Sequence, residues 1–123
     1  MLKILGNAFV SLLVRLASLN KLNNKKSPMP KFLRVDLKQP AEYGVTSLVA
    51  FGMPCKNADG SDYGIVYLVI RYIDYKNDIV EGDHLYLSLE ETYEEAYEEY
   101  GVEPPDWQPL SPQEIEFIGS QIQ

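Results

Sequence analysis

The sequence predicts an α+β fold: an antiparallel sheet of about four strands in meander order, two C-terminal helices packed on one of its faces, and an amphipathic helix ahead of the sheet. Three observations carry this expectation. Residues 31–87 hold β-branched and aromatic runs separated by Gly, Pro, Asn and Asp clusters at hairpin spacing. Residues 88–123 change to helical spacing and twice show the Ser-x-x-Glu pattern of a helix start. Residues 2–19 place apolar side chains three and four apart.

In the leader, Leu2, Leu5, Phe9, Leu12, Leu16 and Leu19 share one helical stripe, with Lys3, Asn7, Ser11, Arg15 and Ser18 opposite. A helix with so apolar a side needs a surface to cover it. The protein's own sheet, a second copy in a homo-oligomer, and a membrane surface contacted through residues 1–20 are the destinations to weigh. Arg15 interrupts the apolar run, no small-residue cleavage site follows, and the run is shorter than the roughly 20 residues that span a bilayer. Asn20 to Pro28 reads as a solvated linker. The chain therefore divides into a basic leader, residues 1–28, and an acidic α+β domain, residues 29–123, with Met29 as an alternative start.

The first strand is expected over Lys31 to Leu37, where Leu33, Val35 and Leu37 alternate with Phe32, Arg34 and Asp36. Val45 to Phe51 follows, opened by Gly44 and closed by Gly52 and Pro54. Asn57-Ala58-Asp59-Gly60-Ser61-Asp62 supplies turn chemistry. Tyr63 to Tyr72 is apolar on both faces, which predicts a central strand covered on both sides. Lys76-Asn77-Asp78 and Glu81-Gly82-Asp83 are expected to bracket a turn region, before a short strand from His84 to Leu87.

Ser88 and Glu91 then form a capping box, and Leu89, Tyr93, Ala96, Tyr97 and Tyr100 make one stripe. Gly101 and Pro104-Pro105 stop that helix near Tyr100. A second box joins Ser111 to Glu114, with Pro112 at the first helical position and Leu110 placed to staple onto Ile115. Ile115, Ile118 and Ile122 are expected on its buried side.

The net charge of −7 conceals an asymmetry: residues 1–34 hold seven Lys and Arg and no acid, whereas residues 35–123 hold eighteen acids against four bases. An acidic domain of that kind disfavours nucleic acid, whose phosphates need clustered Lys and Arg. A single cysteine, Cys55, precludes an internal disulfide and a cysteine-based zinc site. Asn57, Asp59, Gly60 and Asp62 fail the EF-hand register, because with Gly60 at position six the first and twelfth positions fall on Cys55 and Val66. The sequence carries no phosphate-binding Gly-rich loop and no nucleophile elbow, and no metal or cofactor is expected.

Glu90, Glu91, Glu94, Glu95, Glu98 and Glu99 concentrate on the outer side of the first C-terminal helix with no base interleaved. A field of one sign accelerates association with an opposite partner. Trp107 in its Pro-rich link either closes the core edge or projects as an interface anchor. The leading expectation is a non-catalytic, cytoplasmic module that docks a basic protein, in the manner of an immunity or inhibitor protein neutralising a toxin domain. One alternative is a peripheral membrane or assembly protein acting through its leader. Another is a small enzyme that uses His84, the single histidine, with Asp78, Glu81 and Asp83 nearby in sequence.

Overall fold

Five antiparallel strands order as β4-β3-β2-β1-β5 in one sheet in the computed structural model, which describes residues 29–122. The helix expected over residues 1–20 and the linker after it lie outside the described residues. β1 (Phe32–Asp36), β2 (Ser47–Lys56), β3 (Asp62–Asp74) and β4 (Ile79–Tyr86) form the expected meander. α1 (Leu89–Tyr100), β5 (Gln108–Pro109) and α2 (Pro112–Ile122) follow.

The strand limits depart from the sequence reading in two places. β2 runs on through Gly52 and Pro54 to Lys56 because alternate residues bond to opposite neighbours. Gly52 donates to the Lys31 carbonyl at 2.9 Å near the start of β1, so at Pro54 that side of β2 has passed the end of its partner and no N–H is missed. β4 begins at Ile79 and absorbs Glu81-Gly82-Asp83, which is therefore not a turn. A register shift between Arg71 and Tyr72 marks a bulge opposite those residues. The true turn is Tyr75 to Asp78, with Asp78 at φ 59 and its N–H donated to the Tyr75 carbonyl at 3.1 Å.

The two helices cover opposite faces, which corrects the expectation that both pack on one. α1 lies on the front face with Val35, Leu48, Ala50, Tyr67 and Val69, joined by Leu89, Tyr93, Ala96 and Tyr100 of the helix. Ile118, with Ile115 and Ile122, lies on the back face with Val49, Phe51, Leu68, Ile70 and Tyr72. The cause is β5, which the sequence reading did not include. After α1 the chain buries Val102 and Trp107 in the front cluster, turns through Pro104–Asp106, and runs in the sheet plane as β5 beside β1. Leu110 then enters the back cluster, its N–H donated to the Phe32 carbonyl at 2.9 Å, and α2 starts on that side.

β3 is central and doubly covered, as its apolar pattern requires: Val66, Tyr67, Leu68, Val69 and Ile70 are all buried. Gly52 makes room for that packing. A Cβ there would stand 2.9 Å from the Lys31 carbonyl and 3.0 Å from both Pro30 and the Tyr67 ring, whose hydroxyl accepts the Lys31 N–H at 3.0 Å.

Candidate functional site: the acidic face of the first helix

Local chemistry fixes both ends of α1. The Ser88 hydroxyl accepts the Glu91 N–H at 3.0 Å, and the Glu91 carboxylate accepts the Leu87 N–H at 2.8 Å. Glu91 is thus half of a capping pair, with Oε1 held on the Leu87 N–H. At the other end Gly101, at φ 72, turns its N–H onto the Tyr97 carbonyl at 2.8 Å, and the Val102 N–H reaches the Ala96 carbonyl at 3.3 Å. Only glycine takes that left-handed conformation without steric cost.

The helix turns Leu89, Thr92, Tyr93, Ala96 and Tyr100 inward. Thr92, absent from the predicted stripe, is 1% exposed and donates its hydroxyl to the Ser88 carbonyl at 2.9 Å. Tyr97, predicted in the stripe, is 56% exposed. At 100° per residue it lies on the flank of the buried face and stands one turn on from Glu94. Glu90, Glu94, Glu95, Glu98 and Glu99 are exposed on the side away from the core. The assembled surface is five carboxylates with a tyrosine at one edge.

Electrostatics extend this surface beyond the helix. Burial pushes the Tyr86 phenol up to about 12, helped by Glu95 and Glu99. Burial likewise raises Tyr100, with further contributions from Glu99, Glu81 and Glu42. These couplings place β4 and the Glu42–Gly44 turn within the same negative field. Arg71 is the cation inside it. Burial opposes its charge, but Glu81, bonded Nε to Oε1 at 2.6 Å, together with Tyr100 and Glu99, raises its pKa overall. The guanidinium lies across Gly82, where a Cβ would collide with Nη2. The last turn of α1 holds no base, and its carbonyl ends add negative partial charge. The C-terminal half of the helix thus carries Glu94, Glu95, Glu98 and Glu99 with no base in its last turn.

Other sequence-singled residues fall elsewhere. Trp107 is 5% exposed in the front core with its ring 6.3 Å from Tyr93, so it closes the core and is not a surface anchor. His84 is exposed on the front face, its ring 4.6 Å from Tyr86. Asp83, its chain neighbour, points to the opposite face by strand alternation, and burial raises its pKa although Arg71 and His84 lower it. The two therefore do not form a side-chain pair. Asp59 accepts both the N–H and hydroxyl of Ser61, at 2.9 and 2.6 Å, which lowers its pKa and builds the β2–β3 hairpin turn. Cys55 is buried, and desolvation raises its thiol pKa. Among the described residues no group of three or more His, Cys, Asp or Glu is placed to hold a metal ion, and no helix is long and apolar enough to cross a membrane.

A second polar cluster was not foreseen in the sequence. Arg34 makes two 3.0 Å bonds to the Asp36 carboxylate, stacks 4.0 Å over the Tyr75 ring and stands 3.7 Å from Glu114. Glu114 in turn accepts the Tyr75 hydroxyl at 2.7 Å and the Ser111 N–H at 2.8 Å. The guanidinium's charge is met within the fold. This cluster joins β1, the turn after β3 and α2. A comparison with protein-family models, curated proteins and solved structures finds no match for this chain.

Proposed function

We propose that this protein is a binding module that docks a basic protein surface onto α1, with Glu94, Glu95, Glu98 and Glu99 supplying the field and Tyr97 an aromatic contact at its edge. The observation that carries the reading is the exposed carboxylate face with no base interleaved and a large aromatic ring left in water at its edge. Such a face destabilises its own helix. Four i,i+4 pairs and two i,i+3 pairs of glutamates, at about 0.2–0.5 kcal/mol each, oppose folding by roughly 1–3 kcal/mol. A cationic partner relieves that repulsion on binding, whereas water alone does not. Tyrosine is well suited to such an interface, because it buries a large rigid area and keeps a polar tip.

Neutralising a basic toxin domain, as immunity and inhibitor proteins do, is the concrete use that fits a small acidic partner. A pull-down from cells at low and high salt tests the reading. A basic protein is expected at low salt and its recovery should fall as salt rises. Recovery of no basic partner, or of one indifferent to salt, rejects it.

A further inference from the structure

The sheet ends on one side in a long edge. β5 closes the other side with two residues, one of them a proline, whereas β4 runs for eight residues and, among the described residues, no strand pairs with its outer side. Register fixes which backbone groups of β4 point outward. The Tyr72 carbonyl accepts the Thr46 N–H at 2.8 Å, so Tyr72 and, by alternation, Ile70 turn their polar groups toward β2, while Arg71, Val69 and Tyr67 turn theirs toward β4. Their partners Gly82, His84 and Tyr86 complete the β3–β4 ladder, which leaves Asp83 and Leu85 facing away from the sheet. The Leu87 N–H, next in the outward set, is taken by the Glu91 carboxylate at 2.8 Å. Among the described residues nothing from another element bonds to the main chain of Asp83 or Leu85. Their two N–H and two C=O groups form a row of the kind that strand addition uses.

We propose that β4 accepts an extended segment of a basic protein as a further strand, with Lys or Arg at alternate positions directed toward the carboxylates of α1. This deepens the docking reading and rests on it, because it names the element of the partner that binds. Charge commits the occupant. An added strand lies about 4.8 Å from β4, and its residues opposite His84 and Tyr86 point to the front face. Glu95 and Glu99 of α1 are exposed on that face and both act on the Tyr86 phenol, so they lie within reach of a long basic side chain. Arg71, the cation on this side, is already paired with Glu81 at 2.6 Å. The intervening residues of the added strand point back beside Leu85, which packs on the back cluster and favours an apolar neighbour.

The same charges oppose a second copy in this place. β4 carries no Lys or Arg, and antiparallel pairing of two such strands brings Asp83, Glu95 and Glu99 of both chains to one seam. The bulge at Arg71 and Tyr72 and the acidic side chains thus keep like edges apart, while they leave the edge open to a strand of opposite charge.

An octapeptide alternating Lys and Val, titrated into the full chain and followed by amide NMR, tests the proposal. Binding should slow exchange of the Asp83 and Leu85 amides roughly ten-fold and leave Gly82 and His84, already bonded to β3, little changed. In this register the Val amides face β4 and the Lys amides face away. N-methylation of the Val amides should therefore weaken binding roughly ten-fold, whereas N-methylation of the Lys amides, with identical charge and composition, should not. Equal or reversed affinities of the two isomers, unchanged exchange at Asp83 and Leu85, or no binding of the unmethylated peptide overturns strand addition. Capture of a salt-sensitive basic protein judges the docking reading separately. Asp83→Pro removes one outward N–H and spares the β3–β4 bonds, so it should abolish capture while Asp83→Asn retains it. Capture kept by a folded Asp83→Pro chain overturns strand addition and leaves docking on α1 standing, whereas no capture by the unaltered chain rejects both.

Discussion

Replacing Glu94, Glu95 and Glu98 together by Gln should stabilise the domain and, if α1 docks a basic protein as proposed, abolish that capture. These three positions take part in every i,i+4 and i,i+3 glutamate pair of α1, because within the helix Glu90, Glu91 and Glu99 meet another glutamate at those spacings only through them. Glu99, which helps hold Arg71, and Glu91, which caps the helix, stay in place. Gln and Glu have nearly the same helix propensity, so the change isolates charge. Six repulsive pairs at about 0.2–0.5 kcal/mol give a gain of roughly 1–3 kcal/mol. For a domain of this size each kcal/mol moves Tm by about 4–8 °C, so the expected rise is at least about 4 °C. Thermal melts followed by circular dichroism at about 0.01 M and 1 M salt, with Debye lengths near 30 and 3 Å, separate charge from other effects. The rise should be clear at low salt and should shrink at high salt, with loss of the basic partner at both. No rise at low salt, or a rise of equal size in both buffers, refutes the account of α1 as a surface held under like-charge repulsion.

Four further outcomes follow from particular contacts. Gly52→Ala should cost about 1–3 kcal/mol in urea unfolding, because its methyl group meets the Lys31 carbonyl and the Tyr67 ring at 2.9 and 3.0 Å. Ser88→Ala should lose about 1 kcal/mol and weaken hydrogen-exchange protection in the first turn of α1, where Ser88 caps Glu91. Glu114, held below the ordinary carboxylate range by the Ser111 N–H, then by the Tyr75 hydroxyl, contributes stability that is present above its unfolded pKa and lost as pH falls through the folded one. Glu114→Gln should therefore lower stability at neutral pH and flatten the acid limb of a stability-versus-pH curve. Tyr72 and Tyr86, each pushed up to about 12 by burial, contribute in the opposite direction: their stabilisation is complete below pH 10 and disappears as pH rises through 12. Ultraviolet titration should show a late tyrosinate phase that coincides with alkaline unfolding, and early titration of every tyrosine contradicts the burial.

The acidic face was legible in the sequence because six glutamates at helical spacing need no tertiary information to be placed on one side. Its working composition was not. Glu91 is committed to a cap, Tyr97 comes out to the surface, and Glu42 and Glu81 join the field from elements distant in sequence. Trp107 moves the other way, into the core, because the link after α1 crosses the front face before it becomes β5. A two-residue strand with a proline has no periodicity to announce it, and only the unpaired edge of β1 makes it a strand.

By itself the sequence determined what is decided within about four residues along the chain. The limits of α1 and α2, set by Ser88 with Glu91, Gly101, and Ser111 with Glu114, and the hairpin order of β1 to β4 are local chemistry. Only the tertiary structure decided which face each helix covers. An apolar stripe demands burial but is indifferent to which side of the sheet provides it, since both faces of β3 are equally apolar. The choice was made by β5, which carries the chain around the edge of β1 from the front core at Trp107 to the back core at Leu110. That pairing joins residues about 75 positions apart, a relation that no window along the sequence contains.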